Sequence, residues 1–433
     1  MNENSNIFIG KKILIYGLGI SGISSFKFLK RRNDVYVYDD DRNIELRDNV
    51  KKYFIRLNQI KKKDFDLIIL SPGININRCK LSSFLKKNFK DIYTDLDIFY
   101  SFYSNLCITI TGTNGKSTTC KLLYQVLKAQ KYDVRLTGNI GYPILSSKKI
   151  NKKTIFIIEA SSYQLEYSKL FKSKYAAILN ISSDHLERHK TLQKYISAKF
   201  KLINNQSKGS ISFINKNDKN IQHKINKNEY KSKIIKVDTK LKKHFLDRLE
   251  NEYFSSSSNI ENLSFVIQIS KKFHIKKKIL LKIVKSFKGL NYRQQIIFKK
   301  NNYSIINDSK STSYSSSMEM LKKSAQIYWL LGGIPKKGDT FNLPKRYYKN
   351  IKGYIFGRNK KKFVIDLKQK IKIKKFPNLT KALRELFKDI KKDNFIKKTI
   401  LFSPAAASFD NFKNFEDRGK YFNKIIKKFI HAR

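Results

Sequence analysis

An α/β fold of three units with mostly parallel sheets is what the sequence predicts. Short apolar runs alternate with helix-period stretches, two of those runs lead straight into glycine-rich turns, and 433 residues leave room for about three domains of ordinary size. The units are expected at 1–104, 105–285 and 286–433.

In the first unit, residues 13–16 read as a strand that runs into Gly17-Leu-Gly-Ile-Ser-Gly22, followed by a helix through Phe26, Phe28 and Leu29. The next strand, 35–38, ends in Asp39-Asp40-Asp41, about 20 residues beyond the glycines. Glycines that admit a diphosphate, followed by a carboxylate that accepts from a ribose hydroxyl, suggest a Rossmann-like unit. A turn that merely packs helix on strand has the same spacing, so the motif is ambiguous alone. A third strand, 67–70, ends in Ser71-Pro-Gly73, small residues that leave room for a ligand at the carboxyl edge of a parallel sheet.

The second unit begins with Cys107-Ile-Thr-Ile-Thr-Gly-Thr-Asn-Gly-Lys-Ser-Thr118, a strand entering a phosphate cradle. Gly112 and Gly115 let several backbone N–H groups turn on one anion, Lys116 adds a mobile charge, and Ser117 offers a hydroxyl to a magnesium ion. Leu122, Leu123, Val126 and Leu127 recur at helical spacing behind it, so a positive helix end faces the phosphates. Common P-loops have glycine where Ile110 stands, making this a shorter form. An ordinary loop is disfavoured by lysine and serine together directly after a strand. With a phosphate loop here, the first unit's diphosphate is expected to belong to a substrate rather than to a nicotinamide cofactor.

Strand 154–158 then delivers Glu159, and strand 176–179 delivers Asn180 and Ser-Ser-Asp-His185. Such strand ends converge on one edge, so Ser117, Glu159 and His185 can share a site, whose oxygen and imidazole donors suit Mg²⁺ or Mn²⁺. A capping glutamate and a structural histidine are the plainer alternatives. Residues 133–136 lead into another small-residue turn, Thr137-Gly-Asn-Ile-Gly141. Tyr195 and Lys199 lie four apart on one helix face, where Lys199 is by itself one more lysine. Residues 216–251 read only as loop and edge strands, and Asn259 and Asn262 open a helix.

In the third unit, 287–293 is a linker carrying Arg293, strand 303–306 ends in Asn307-Asp-Ser-Lys-Ser-Thr312, and strand 327–331 ends in Gly332-Gly333. Asp308 and Lys310 can pair at the surface for little gain, or reach a phosphate from the strand end.

The formal net charge of +57 ordinarily suggests nucleic acid, but lysines are spread along the whole chain beside Ile and Asn, and no nucleic-acid partner is expected. Three cysteines without metal-site spacing suit a reducing compartment. No apolar run approaches the roughly 18 residues a membrane span needs, and 1–9 is too polar for a signal, so a soluble cytoplasmic monomer without membrane insertion is expected.

The glycine turn, the short phosphate loop and Asp308-Ser-Lys-Ser-Thr312, in that order, resemble the Mur ligases of peptidoglycan synthesis across the whole chain. Ser403-Pro-Ala-Ala-Ala-Ser-Phe-Asp-Asn-Phe-Lys-Asn-Phe-Glu-Asp-Arg-Gly419 is similar to the branch that adds D-glutamate. The resemblance implies an ATP-dependent reaction between UDP-N-acetylmuramoyl-L-alanine and D-glutamate through an acyl phosphate and a tetrahedral intermediate.

It also implies roles. Gly112, Thr113, Asn114, Gly115, Lys116, Ser117 and Thr118 hold ATP, with Asn262, Arg293, Asp308 and Thr312. Ser117 and Glu159 bind one magnesium and His185 a second, beside Lys199 as a carbamate formed from CO₂. Gly19, Ile20, Ser21, Asp39, Ser71, Gly73, Asn139 and His185 meet the UDP substrate, and Lys337, Ser408, Phe409 and Phe415 meet D-glutamate, with Lys336 equally available for Lys337. Lys116, His185, Lys199 and Lys310 fall on catalytic positions, and domain closure is expected to complete the site. Ser258, Tyr292 and Ser313 stand where the family usually has His, His and Asn. The rivals are a folate-polyglutamating ligase, which the first glycine unit argues against, and a basic nucleic-acid-binding ATPase.

Overall fold

Parallel strands covered on both faces have no polar side to alternate with, so they read as unbroken apolar runs. The computed structural model shows this arrangement; it describes residues 6–431 except 42, 43, 45–47, 242–244, 246, 301, 302, 323–325 and 337. Strands β1 (Lys12–Tyr16), β2 (Asp34–Tyr38), β3 (Leu67–Leu70) and β4 (Ile92–Tyr93) form a four-stranded parallel sheet in the order β2-β1-β3-β4.

A six-stranded parallel sheet follows, made of β5 (Cys107–Thr111), β6 (Val134–Gly138), β7 (Ile155–Glu159), β8 (Tyr175–Ile178), β9 (Ile211–Asn215) and β10 (Lys233–Val237). Its order, β10-β9-β8-β5-β7-β6, puts β5 at the centre with β7 and β8 on either side, so the loops after these three strands emerge together at one edge. Every residue of β5 and β7 is buried.

The third sheet joins β11 (Gln295–Lys300), β12 (Tyr303–Asn307), β13 (Gln326–Leu331), β14 (Ile351–Phe356), β15 (Lys372–Phe376) and β16 (Lys398–Phe402) in the order β11-β12-β16-β13-β14-β15. Only β11 runs antiparallel to its neighbour among these described strands. Trp329 and Phe363 lie in the core on one face, and Tyr354, Leu383 and Phe422 on the other. The α/β class with mostly parallel sheets is as the sequence predicts.

The chain divides into two compact units, Met1–Phe254 with Asn259–Ser286, and Ser255–Ser258 with Phe287–Arg433. Within the first, the two sheets share a core: Phe99, on the helix Asp95–Phe102, sets its ring 4.7 Å from that of Phe156 on β7. A carboxylate fastens the same junction. Asp97 Oδ1 accepts from Ser168 Oγ and from the amides of Lys169, Leu170 and Phe171 at 2.7–3.2 Å, while Oδ2 accepts from the amide and hydroxyl of Thr94.

The stretch 216–251, expected as loop and edge strands, contains the helix Lys219–Asn226 as well as edge strand β10. That helix buries only Ile221 and starts on Asp218, whose carboxylate accepts from the Ile221 amide. Half-buried Ile225, one turn on, packs against the same core, and two apolar residues make a stripe too short to stand out, so the cap was the clearer signal.

Candidate functional site: a phosphate loop with buried lysine and glutamate

β5 ends in Thr111, and the chain turns through Gly112 to Gly115 into the helix Lys116–Ala129. Gly115 has φ +81, and a Cβ there would lie 2.0 Å from Asn262 Oδ1, so only glycine fits between the loop and the helix Ser257–Lys271. Asn262 also accepts from Thr119 Oγ1 at 3.2 Å, which places this expected nucleotide residue under the loop. Asn180, at the end of β8, accepts from the Asn114 amide at 2.8 Å and fixes the loop from the other side. Thr113 Oγ1 lies 3.2 Å from Tyr195 Oη, and Thr118 Oγ1 lies 3.5 Å from Tyr253 Oη.

Lys116 folds back over its own loop, donating from Nζ to the carbonyls of Gly112 and Thr113 at 2.8 Å. Ser117 Oγ donates to Glu159 Oε2 at 2.6 Å, and Asn139 Nδ2 donates to Oε1 at 3.1 Å. Asn139, expected at the UDP sugar, is thus tied to the end of β7. Glu159 is buried among neutral donors, and this oxygen-rich set fits a hard divalent cation.

Lys199 is the unusual member. It is 1% exposed, and Nζ donates to the Gly112 carbonyl at 2.8 Å and reaches Thr111 Oγ1 at 3.4 Å. Burial first, and the nearby Lys116 charge second, hold its amine well below the usual lysine range. Its Nζ stands 4.6 Å from the Tyr195 ring centroid, and the His185 ring lies 6.4 Å from the same ring. His185, with φ +55, opens the short helix Leu186–His189. Its Nδ1 is 2.7 Å from Tyr163 Oη and 3.4 Å from Glu187 Oε1, and its Nε2 is 3.3 Å from Asp184 Oδ2. Among the described residues no three His, Cys, Asp or Glu side chains are already grouped as a metal cage. Ser117, Glu159 and Lys199 gather at the loop, while His185 is held by Tyr163, Asp184 and Glu187, with its ring 6.4 Å from that of Tyr195.

The N-terminal glycine turn is held from within. Ser71 Oγ donates to the Gly17 carbonyl at 2.6 Å, and a Cβ on Gly22 would sit 1.8 Å from that oxygen. Asp39, expected to face a ribose hydroxyl, accepts from the Leu18 amide at 2.6 Å and the Asp41 amide at 2.9 Å, so its first task is to order the turn. Gly19 precedes the helix Ile20–Leu29 without a side-chain cap, and Ile20 stands 79% exposed beside half-buried Ser21. Gly73 has open space where a Cβ would be.

In the C-terminal unit, Asp308 follows β12. Its carboxylate accepts from the Gln294 amide and from Ser403 Oγ at 3.1 Å, and burial pushes its pKa up to about 7. The Phe415 ring lies 4.1 Å from Lys310 Nζ and 5.8 Å from the Arg293 guanidinium, gathering three expected residues. Thr312 is half-buried, Ser408 is buried and Phe409 is 72% exposed. Lys337 lies outside the described residues; Lys336 is half-buried.

Ser313 accepts from the Ser316 amide as the N-cap of the helix Tyr314–Leu321, a task serine performs as well as the asparagine usual there. Tyr292, with φ +61, packs its ring on Gly419, and Ser258 Oγ lies 3.3 Å from Ser256 Oγ.

Arg418 was not anticipated. It is 1% exposed, donating from Nε to Ser309 Oγ at 3.1 Å and from Nη2 to the Ser309 carbonyl at 2.7 Å, so it braces the turn after β12. Its position on the stripe shared with Phe422, Ile425 and Ile426 was the signal, a charge on an apolar helix face.

Two family models match the chain: Mur ligase middle domain over residues 110–288, and Mur ligase MurD-like, N-terminal domain over residues 11–92. A relative from Rickettsia felis named UDP-N-acetylmuramoylalanine–D-glutamate ligase is 34% identical, covering 96% of this chain and 97% of its own. One of the same name from Buchnera aphidicola subsp. Schizaphis graminum is 36% identical over 97% and 98%. Among solved structures, UDP-N-acetylmuramate-alanine ligase MurC from Thermotoga maritima has a TM-score of 0.55 at 17% identity, covering 98% of this chain and 100% of that one. A MurF ligase from the same organism in complex with ADP has a TM-score of 0.55 at 13% identity over 97% and 96%. These two share the fold, and the alignments with the first two relatives, at 34% and 36% identity, cover nearly the whole of both chains: the chain belongs to the Mur ligase family.

Proposed function

We propose that the chain is an ATP-dependent amide ligase that joins D-glutamate to UDP-N-acetylmuramoyl-L-alanine in cytoplasmic peptidoglycan precursor synthesis. Residues 1–104 serve the UDP substrate, 105–285 ATP, and 286–433 D-glutamate. The terminal carboxylate of the substrate attacks the γ-phosphorus, expelling ADP and forming an acyl phosphate. The deprotonated amine of D-glutamate adds to the acyl carbon, and the tetrahedral intermediate expels phosphate to leave the amide. Carboxylate, triphosphate and D-glutamate are all anionic, so positioning and charge neutralisation are the main work.

Lys116 leaves the Gly112 and Thr113 carbonyls to meet the phosphates, and the amides from Asn114 onward cradle them. Ser117 and Glu159 would hold one magnesium ion, and His185 with a carbamate on Lys199 a second; bound there, the ions would supply positive charge against the reacting oxygens. Burial lowers the pKa of the Lys199 amine and so favours its neutral form, and a neutral amine can add to CO₂ and release a proton to become the carbamate. Arg293, Asp308, Lys310 and Thr312 serve the nucleotide, and Ser408, Phe409 and Phe415, with Lys336 or Lys337, serve D-glutamate.

The observation that supports this reading most is the gathering of Lys116, Ser117, Glu159 and Lys199 about one glycine turn. Phosphate release should require UDP-N-acetylmuramoyl-L-alanine and D-glutamate together, and should stay at background with L-glutamate, folate or RNA. Release driven by RNA, or by folate with L-glutamate, would overturn the assignment.

A further inference from the structure

At the edge of the third sheet opposite to Asp308 and Ser403, the loop between the helix Leu379–Lys392 and β16 carries Phe395 and Ile396 into solvent, 48% and 82% exposed. A large aliphatic side chain so uncovered is costly to leave in water. Beside the pair opens a cavity of about 710 Å³ floored by Phe298, Phe387, Ile390 and Ile430. Its lining is basic: Lys300 and Lys391 are exposed there, with Lys398, whose Nζ donates to the carbonyls of Ile390 and Asp393, and the loop itself reads Lys391-Lys-Asp-Asn-Phe-Ile-Lys-Lys398. The one acid in that run, Asp393, accepts from Tyr328 Oη at 2.5 Å and from Lys352 Nζ at 2.6 Å, so its charge is already matched.

We propose that this edge of the C-terminal unit docks on an anionic membrane surface. Phe395 and Ile396 enter the headgroup region while the surrounding lysines face the lipid phosphates, and the cavity behind them gives an acyl chain somewhere to lodge. Basic charge next to exposed aromatic and aliphatic tips is the pattern of interfacial attachment. The overall charge of +57 would draw the protein to any polyanion. A polynucleotide would have no use for Ile396, whose aliphatic chain offers a base neither a stacking face nor a hydrogen bond. Docking here leaves the opposite edge of the third sheet, with Asp308 and Ser403, facing away from the lipid.

The test is co-sedimentation of the full chain with vesicles of phosphatidylglycerol and phosphatidylcholine, against phosphatidylcholine alone, at physiological salt. The parent should bind the anionic vesicles selectively, and Phe395→Ser with Ile396→Ser should weaken that binding about tenfold or more while turnover on soluble substrates is unchanged. Lys300→Glu with Lys391→Glu should weaken it too and reduce its salt dependence. Equal binding by the Phe395/Ile396 variant would mean charge alone is at work and would overturn the proposal. So would equal binding to both vesicle types, or loss of RNA binding in the same variant, which would mark the patch as a polynucleotide surface.

Discussion

Lys199 shows how a single side chain can be placed against its own preference: an amine sealed from water, with the Lys116 ammonium as neighbour, is poorly suited to remain a cation. If it works as a carbamate, Lys199→Ala should lose turnover by about 10²-fold or more, the scale of removing a charged group at a reacting centre, and added formate or acetate should restore part of it. Unchanged activity would remove Lys199 from the mechanism. Asp308 is the acidic counterpart. Burial raises its pKa from 3.8 to about 7 against the pull of the Gln294 amide, Ser403, Arg293 and Arg418. Between those values the native state holds a proton that the unfolded chain has released, so stability falls as pH rises through that window. Asp308→Asn should flatten this decline, read as Tm against pH; an unchanged slope would mean that another group carries it.

At the level of elements, two short segments hold the site in register. The turn into the helix Lys116–Ala129 depends on Gly115, where a methyl would both strain a positive φ and strike Asn262. Gly115→Ala should therefore cost about 1–2 kcal/mol from the left-handed backbone alone and raise the KM for ATP; a normal KM would show that the loop tolerates the shift. The helix Asp95–Phe102 matters at a distance, because Asp97 joins it to residues 168–171, just beyond the helix Ser162–Tyr167 that carries Tyr163. Asp97→Ala leaves buried donors unmatched and should destabilise the first unit by about 3 kcal/mol or more, measured by urea unfolding, with Asp97→Asn less affected. A loss below half a kilocalorie would show that water or neighbouring groups replace the carboxylate.

Across the whole molecule, the sequence was most legible where burial is two-sided. β5, β7 and β13 have no exposed residue, and their runs and following turns stand out unaided. It was least legible where one buried polar group does a structural task. Asp97 and Arg418 carry no assigned role in the sequence, the helix Lys219–Asn226 shows only Ile221 and half-buried Ile225 to the core, and Asp39 orders its own turn before it could meet a ribose. The Tyr163 partner of His185 is not legible either, since nothing in a tyrosine 22 residues upstream announces a hydrogen bond to that imidazole. The proposed chemistry has one consequence that no hydrolase or simple ATPase shares. With both terminal carboxylate oxygens of UDP-N-acetylmuramoyl-L-alanine labelled as ¹⁸O, phosphate released in the presence of ATP and D-glutamate should carry one labelled oxygen, passed on through the acyl phosphate. Amide formed with unlabelled phosphate would contradict the account.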